Sequence, residues 1–251
     1  MNIQDEQGTR IAAFFDLDGT LIPKPSLEWR FFAELRRHCK IPLTNYFRWG
    51  VQAVRLLPKG LLAVRHGNKA YLSGLNCDLV LWHTRSIAFF DEGISHVVWH
   101  AREGHKIVLL SGTLQELARL AALALECELE IRGVPVPIQI CATRLAISRG
   151  EWTGCLDSEV LYGQAKAHLI ENLAKNQRIN LPQSYGYGND FEDRYFLCAL
   201  GRARAVNPRS ELATLAHRKN WPICAWRHQK TAESQRNVPW PPRIQHMEKR
   251  A

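Results

Sequence analysis

Two carboxylates two residues apart, at the end of an apolar run, constrain this chain more than any other feature. The run Ile11-Ala12-Ala13-Phe14-Phe15 is short and β-prone, and reads as a buried strand rather than a helix. Asp16 and Asp18 follow it, and side chains at i and i+2 of an extended backbone share one side. Both therefore converge on a point just past the strand end. Gly19 lets the chain turn away there, and Thr20 supplies a hydroxyl. Two ionised carboxylates this close repel and need a cation or a shared proton. Oxygen ligands of this kind suit a hard divalent metal such as Mg²⁺. An acidic turn with no ligand is the plainer alternative.

Beyond this strand, Pro23-Lys24-Pro25 breaks the backbone and Ser26 offers a helix cap. Helical spacing follows over residues 27–39, 44–57, 61–72 and 78–90, with breaks at Pro42 and at 58–60. No strand is legible between residues 24 and 92, so the block reads as an inserted helical cap. It is rich in aromatic and basic residues, among them Trp29, Arg30, Phe31, Arg36, Arg37, Tyr46, Phe47, Arg48, Trp49, Arg55 and Lys59. Core aromatics with a solvated basic face account for these most simply. A basic, apolar surface for an amphipathic phosphate ester or a membrane face is the functional alternative.

The α/β alternation resumes with a helix at 94–102 and a strand at 106–110. Ser111-Gly112-Thr113 follows, and the helical pattern of 114–125 comes next. A strand, a Ser-Gly turn and a helix N-terminus in sequence make an anion site from a hydroxyl and free N–H groups. A strand at 138–142 and a hairpin at 144–153 come next. The helix opening at 162–166 carries Lys166 in its first turn, where the helix dipole disfavours a cation. That lysine is either a surface residue or a group held there for a negative ligand. A short strand at 184–188 ends in Asn189-Asp190-Phe191-Glu192-Asp193. Ligands of open α/β sheets gather outside the carboxyl ends of the strands, so this acidic cluster is a natural partner for Asp16 and Asp18. Strands at 203–206 and 222–226 flank a helix at 210–219, and the tail from 227 is polar and basic.

The formal net charge of +9 favours anionic partners, whether phosphate esters, nucleic acid or an anionic membrane. The seven cysteines are scattered and form no CxxC pair, which fits a reducing compartment better than a disulfide framework or a zinc site. Residues 1–10 are polar and partly acidic, unlike a signal peptide. No run approaches the ~20 apolar residues of a membrane span. The expected localisation is cytoplasmic.

Four elements now stand in the order of the haloacid dehalogenase (HAD) superfamily, and the chain resembles its subclass IB, the phosphoserine phosphatase-like hydrolases. They are Asp16-Leu17-Asp18-Gly19-Thr20, Ser111 after Val108-Leu109-Leu110, Lys166 within Gly163-Gln164-Ala165-Lys166, and Gly188-Asn189-Asp190-Phe191-Glu192-Asp193. The resemblance implies an α/β fold, a Rossmann-like parallel sheet with an inserted helical cap. It divides the chain into a core of residues 10–23 and 93–226, a cap of 24–92 and a tail of 227–251. It implies a Mg²⁺-dependent phosphatase that hydrolyses a phosphate monoester through an aspartyl-phosphate. Asp16 would be the nucleophile and Asp18 the acid and base. Ser111, Gly112 and Lys166 would bind phosphate. Metal ligands would come from Asp16, Asp18 and the group Asn189, Asp190 and Asp193. One departure stands out, because Asn189 occupies a position where the subclass usually has Asp. Either Asn189 or Asp190 is then the ligand, and a catalytically weak domain that binds a phosphorylated ligand or protein is the alternative. The implied substrate is small and phosphorylated, with amphipathic or lipid-like esters and peripheral membrane contact left open. Nucleic-acid binding rests on charge alone.

Overall fold

The strand β1 (Ala12–Asp16) is buried along its whole length. Ala12 and Phe14 enter one apolar layer, and Ala13 and Phe15 the other. A continuous apolar run is what a parallel strand covered on both faces requires. The computed structural model describes residues 9–227, with the backbone alone at 82–86. The opening residues 1–8 and all of the basic tail but Arg227 lie outside the described residues.

After β1 the chain enters helices α1 (Leu27–Arg37), α2 (Leu43–Leu56) and α3 (Leu61–Gly67). Ser26 caps α1, its hydroxyl accepting from the Trp29 N–H at 3.3 Å. The helix expected over 61–72 stops early. Asn68 instead donates through its amide to the Trp49 carbonyl at 2.8 Å, and a 3-10 turn at Ala70–Leu72 follows. The helix expected over 78–90 is a 3-10 helix, Cys77–Ser86. It is tied at one end by Cys77 N–H to the Gly150 carbonyl, and beyond its other end by Phe90 N–H to the Leu21 carbonyl. A 3-10 helix rises about 2.0 Å per residue against 1.5 Å for an α-helix, so the same residues reach further between the two anchors.

The core resumes with α4 (Asp91–Arg102), β2 (Lys106–Leu114), α5 (Gln115–Ile131) and β3 (Ile138–Thr143). The hairpin β4 (Leu145–Ser148) and β5 (Glu151–Leu156) follows. Then come α6 (Gln164–Gln177), β6 (Tyr185–Gly188), α7 (Arg194–Cys198), β7 (Arg202–Val206), α8 (Ser210–Lys219) and β8 (Ile223–Cys224). Six strands form one sheet in the order β3-β2-β1-β6-β7-β8, and every pair is parallel. The chain builds outward from β1 first on one side and then on the other. The order therefore reverses between β1 and β6, where a sheet of this kind opens a crevice. Among the described residues no helix is long and apolar enough to cross a membrane.

Behind the sheet, His100 of α4 is completely buried. Its Nδ1 lies 2.8 Å from His105 Nδ1 and its Nε2 2.9 Å from the Tyr187 hydroxyl. Burial, with neighbouring cationic groups, pushes its pKa down to about 3. The folded protein holds it neutral, whereas the unfolded chain protonates it below about 6.5. Stability contributed by His100 is therefore present above pH 6.5 and is lost as pH falls towards 3. In denaturant titrations the stability difference between wild type and His100→Gln should shrink steadily from pH 7 to pH 4. A difference that does not change with pH would contradict this account.

Candidate active site

Asp16 closes β1, and the turn after it is held by main-chain bonds. Gly19 N–H reaches the Ile22 carbonyl at 2.7 Å, and the N–H groups of Leu21 and Ile22 reach the Leu17 carbonyl at 3.1 and 2.9 Å. Gly19 has φ +94°, and a Cβ there would stand 2.4 Å from the Asn189 amide nitrogen. Both the left-handed backbone and the close approach demand glycine. Thr20 is buried, donates to Asp16 Oδ2 at 2.9 Å and lies 3.3 Å from Asn189 Oδ1.

Lys166, in the first turn of α6, joins the two acidic stretches. Its Nζ is 2.6 Å from Asp16 Oδ1 and 2.7 Å from Asp193 Oδ1. All three residues are buried. Burial works against the ammonium, but Asp16 and Asp193 outweigh it and hold the lysine pKa above its ordinary value. Burial and the Asp193 charge raise the Asp16 carboxyl, and Lys166 opposes them. The second Asp193 oxygen accepts the N–H groups of Asn189 and Asp190, each at 3.0 Å. One side chain thus holds both the lysine and the loop that carries Asn189. Asp190 turns elsewhere. It accepts from the Glu192 N–H at 3.3 Å and lies 3.9 Å from Arg209.

Asp18 Oδ1 accepts the N–H of Leu27, the first residue of α1, at 2.8 Å. Burial raises this carboxyl to about 6, against the Leu27 hydrogen bond and with a further push from Glu28. A group titrating there can exchange protons near neutral pH.

The Ser111 segment differs from the strand–turn–helix expectation. β2 runs on through Ser111-Gly112-Thr113 to Leu114, and α5 begins only at Gln115. The register with β3 shifts between Ser111 and Leu114, as a bulge does. The Ser111 hydroxyl accepts the Thr113 N–H at 3.1 Å, and Thr143 Oγ1 donates to the Gly112 carbonyl at 3.0 Å. The segment therefore sits in a bulged strand end and not at a helix N-terminus. Since Asp16 pairs with Leu110, Ser111 is one residue further along the same edge.

Asp16 and Asp193 share one ammonium, and a third carboxylate, Asp18, lies within its field. Ionised together they leave a buried excess of negative charge, which a divalent cation would neutralise. The available donors are oxygens, from Asp16, the Asn189 amide and the main chain, a set suited to a hard cation. Among the described residues no three His, Cys, Asp or Glu side chains are arranged so that they alone could hold a metal ion. The Asn189 side chain lies beside Thr20 and Gly19, next to Asp16.

The cap adds a group that the sequence did not single out. Glu28, in the first turn of α1, pairs with Lys69 and accepts from the Tyr71 hydroxyl at 3.2 Å. His66 stacks on Tyr162 with ring centroids 4.2 Å apart. Its Nε2 is buried without a hydrogen-bond partner. Burial, with Lys69 and Arg65, lowers its pKa to about 4. An acidic residue in the first turn of a helix is explained by the dipole alone, and Lys69 and Tyr71 stand 41 and 43 residues further along the chain, so no local signal joins the three.

The model of the haloacid dehalogenase-like hydrolase family matches residues 13–197. A Mycobacterium tuberculosis protein named phosphoserine phosphatase SerB1 is 26% identical over 231 residues, covering 84% of this chain and 70% of that one. A probable phosphatase of the same organism is also 26% identical, over 86% of this chain and 76% of its own. Among solved structures, a Bordetella pertussis Tohama I protein superposes with a TM-score of 0.66 at 22% identity, over 86% of this chain and 99% of that one. An apo phosphoserine phosphatase gives 0.57 at 20%, over 86% and 93%. At these identities the superpositions establish a shared fold.

Removing the lysine leaves Asp16 and Asp193 facing each other without a cation. Lys166→Met should cost about 3 kcal/mol of folding stability, measured by denaturant unfolding at pH 8. The loss should lessen at pH 5, where Asp16, its carboxyl raised by burial and by the Asp193 charge, can protonate, and also in the double variant Lys166→Met/Asp193→Asn. An unchanged midpoint at pH 8 would show that the lysine does not carry this charge.

Proposed function

The chain belongs to the haloacid dehalogenase-like hydrolase family, and from that premise we propose that it is a Mg²⁺-dependent phosphatase acting through an aspartyl-phosphate. The observation that carries this reading is the Asp16–Lys166–Asp193 constellation at the crevice of the sheet, with Asp18 two residues from the nucleophile. Lys166 holds the Asp16 carboxylate in one orientation and offers positive charge to phosphoryl oxygens. In the first step an Asp16 oxygen attacks phosphorus and the ester P–O bond breaks. Asp18 gives its proton to the departing alkoxide. In the second step the Asp18 carboxylate takes a proton from water as that water attacks phosphorus. Phosphate leaves, and Asp16 is restored. Ser111 and the Gly112 N–H would bind the phosphoryl oxygens as charge shifts among them. Asp16, Asn189 and the Asp18 carbonyl would hold Mg²⁺, which would supply charge neutralisation.

The substrate we propose is a small phosphate monoester. Glu28, the cap carboxylate that bears on Asp18, is already paired with Lys69. It is therefore a poor receiver for the ammonium of an amino-acid phosphate, so we favour a neutral or anionic leaving group. All seven cysteines are free, in keeping with a cytoplasmic protein.

Phosphate release across a panel of monoesters, with and without Mg²⁺, tests this directly. Asp16→Asn should lose at least about a thousandfold in turnover, and phosphoserine should rank below uncharged-alcohol phosphates. Metal-independent release, or full activity in Asp16→Asn, would overturn the mechanism. No release on any ester would favour a phosphate-binding domain instead. Asn189→Asp adds a ligand charge and should lower the half-saturating Mg²⁺ concentration by about tenfold. An unchanged Mg²⁺ dependence would remove Asn189 from the metal site.

A further inference from the structure

Helix α2 packs Tyr46 and Trp49 inward and yet carries a second set of large apolar side chains on the side it turns to water. Its one buried side chain is Asn45, whose amide donates to the Tyr71 and Ser73 carbonyls at 3.1 and 2.7 Å. On the opposite side Leu43, Phe47 and Val54 are 86%, 75% and 67% exposed. Positions 43, 47, 50, 54 and 57 recur at helical spacing and make one stripe, with Gly50 in its middle and exposed Leu57 at its end. Leu61 and Leu62, at the start of α3, extend it. A lone exposed leucine is ordinary, but a continuous stripe of large apolar side chains marks a contact surface.

The charge around the stripe identifies its partner. No Asp or Glu occurs from Ile41 to Cys77, while Arg48, Arg55, Lys59 and Arg65 are exposed. Arg48 and Arg55 each follow a stripe residue and so border it along one side, Arg48 also donating to the Ser73 hydroxyl at 3.2 Å. Apolar side chains bordered by cations, with no acidic residue among them, match the boundary between anionic headgroups and acyl chains. A second copy of the same face would bring like charges together, which opposes self-association. We propose that the α2–α3 hairpin is a docking surface for an anionic lipid bilayer. The surface adjoins the candidate site. Asn68, just past α3, bonds to the Trp49 carbonyl of α2. His66 within α3 stacks on Tyr162, four residues before Lys166. Docking therefore sets the cap side of the crevice beside the headgroups.

Flotation of the full chain with vesicles tests this, using phosphatidylcholine alone and phosphatidylcholine mixed with phosphatidylglycerol in equal parts. The protein should float with the mixed vesicles only, and less so in high salt. Phe47→Glu/Leu57→Glu should abolish flotation. Arg55→Gln/Lys59→Gln should weaken it by about tenfold. The basic tail is intact in every variant, so these losses report on the hairpin. Circular dichroism and turnover of a soluble phosphate ester should match wild type in all of them, which keeps this test separate from that of the phosphatase reading. Absence of flotation with mixed vesicles, or equal flotation of Phe47→Glu/Leu57→Glu, would overturn the proposal. A wild-type dimer that Phe47→Glu/Leu57→Glu dissolves, without vesicle binding, would overturn it in favour of an interface between copies.

Discussion

The buried ammonium of Lys166, shared by Asp16 and Asp193, is the contact on which the rest of the site depends. It joins the end of β1, the first turn of α6 and the loop after β6, which lie far apart in sequence. A buried ion pair adds little net stability, because desolvating the charges offsets their attraction. Its value here is positional. Each of the two carboxylates that touch the ammonium has a second task. Asp16 also takes the Thr20 hydroxyl, and Asp193 also takes two N–H groups of its own loop. The nucleophile candidate is thus held from two sides, and the Asn189 loop is fixed by the group that fixes the lysine. Donors held in place before reaction need no reorganisation when charge moves, which is where electrostatic catalysis gains most.

The cap is tied to the same centre. The first N–H of α1 rests on Asp18, so the second carboxylate is bound to the inserted helices as well as to the sheet. Glu28, next along that helix, is paired with Lys69 and Tyr71 from the far side of the cap. The hairpin β4–β5 adds a further tie, with Trp152 bonded through its main chain to Gly74 and Leu75 and its side chain buried. A displacement of the cap would therefore be felt at Asp18 through the hydrogen bond that helps to offset its burial.

The parallel sheet and most of the site were legible because each rests on a local signal. Apolar runs ending in turn residues marked β1 and the first part of β2, and the Asp16–Asp18 spacing marked the first half of the candidate site. Lys166 was visible as a cation at the wrong end of a helix, and the structure supplies its two carboxylates. What escaped the sequence depends on tertiary anchors. The stretch 77–86 carries helical spacing, yet its fixed ends draw it into a 3-10 helix. β2 continues past Ser111 because a bulge and the Thr143 hydroxyl hold Gly112 in the strand. Which way Asn189 and Asp190 point could not be read from composition. It turns on Asp193, whose carboxylate folds the loop so that Asn189 faces Thr20 while Asp190 caps the next turn.

The distribution of charge links the site to the whole molecule. The chain is strongly basic overall, yet its crevice gathers three carboxylates around a single lysine. The outer field draws anions inward, but a phosphate arriving among those carboxylates adds to the local negative charge. Lys166 cannot offset both, since its ammonium is already shared by Asp16 and Asp193. In the proposed mechanism that compensation would come from a cation at the oxygen donors and from N–H and hydroxyl groups along the edge of β2. Under the same proposal, a neutral Asn189 where the family resemblance implies a carboxylate would ease the imbalance by one charge. It reduces the attraction for a cation and the repulsion of the phosphate together, so its effect on turnover depends on which of the two limits the occupied site.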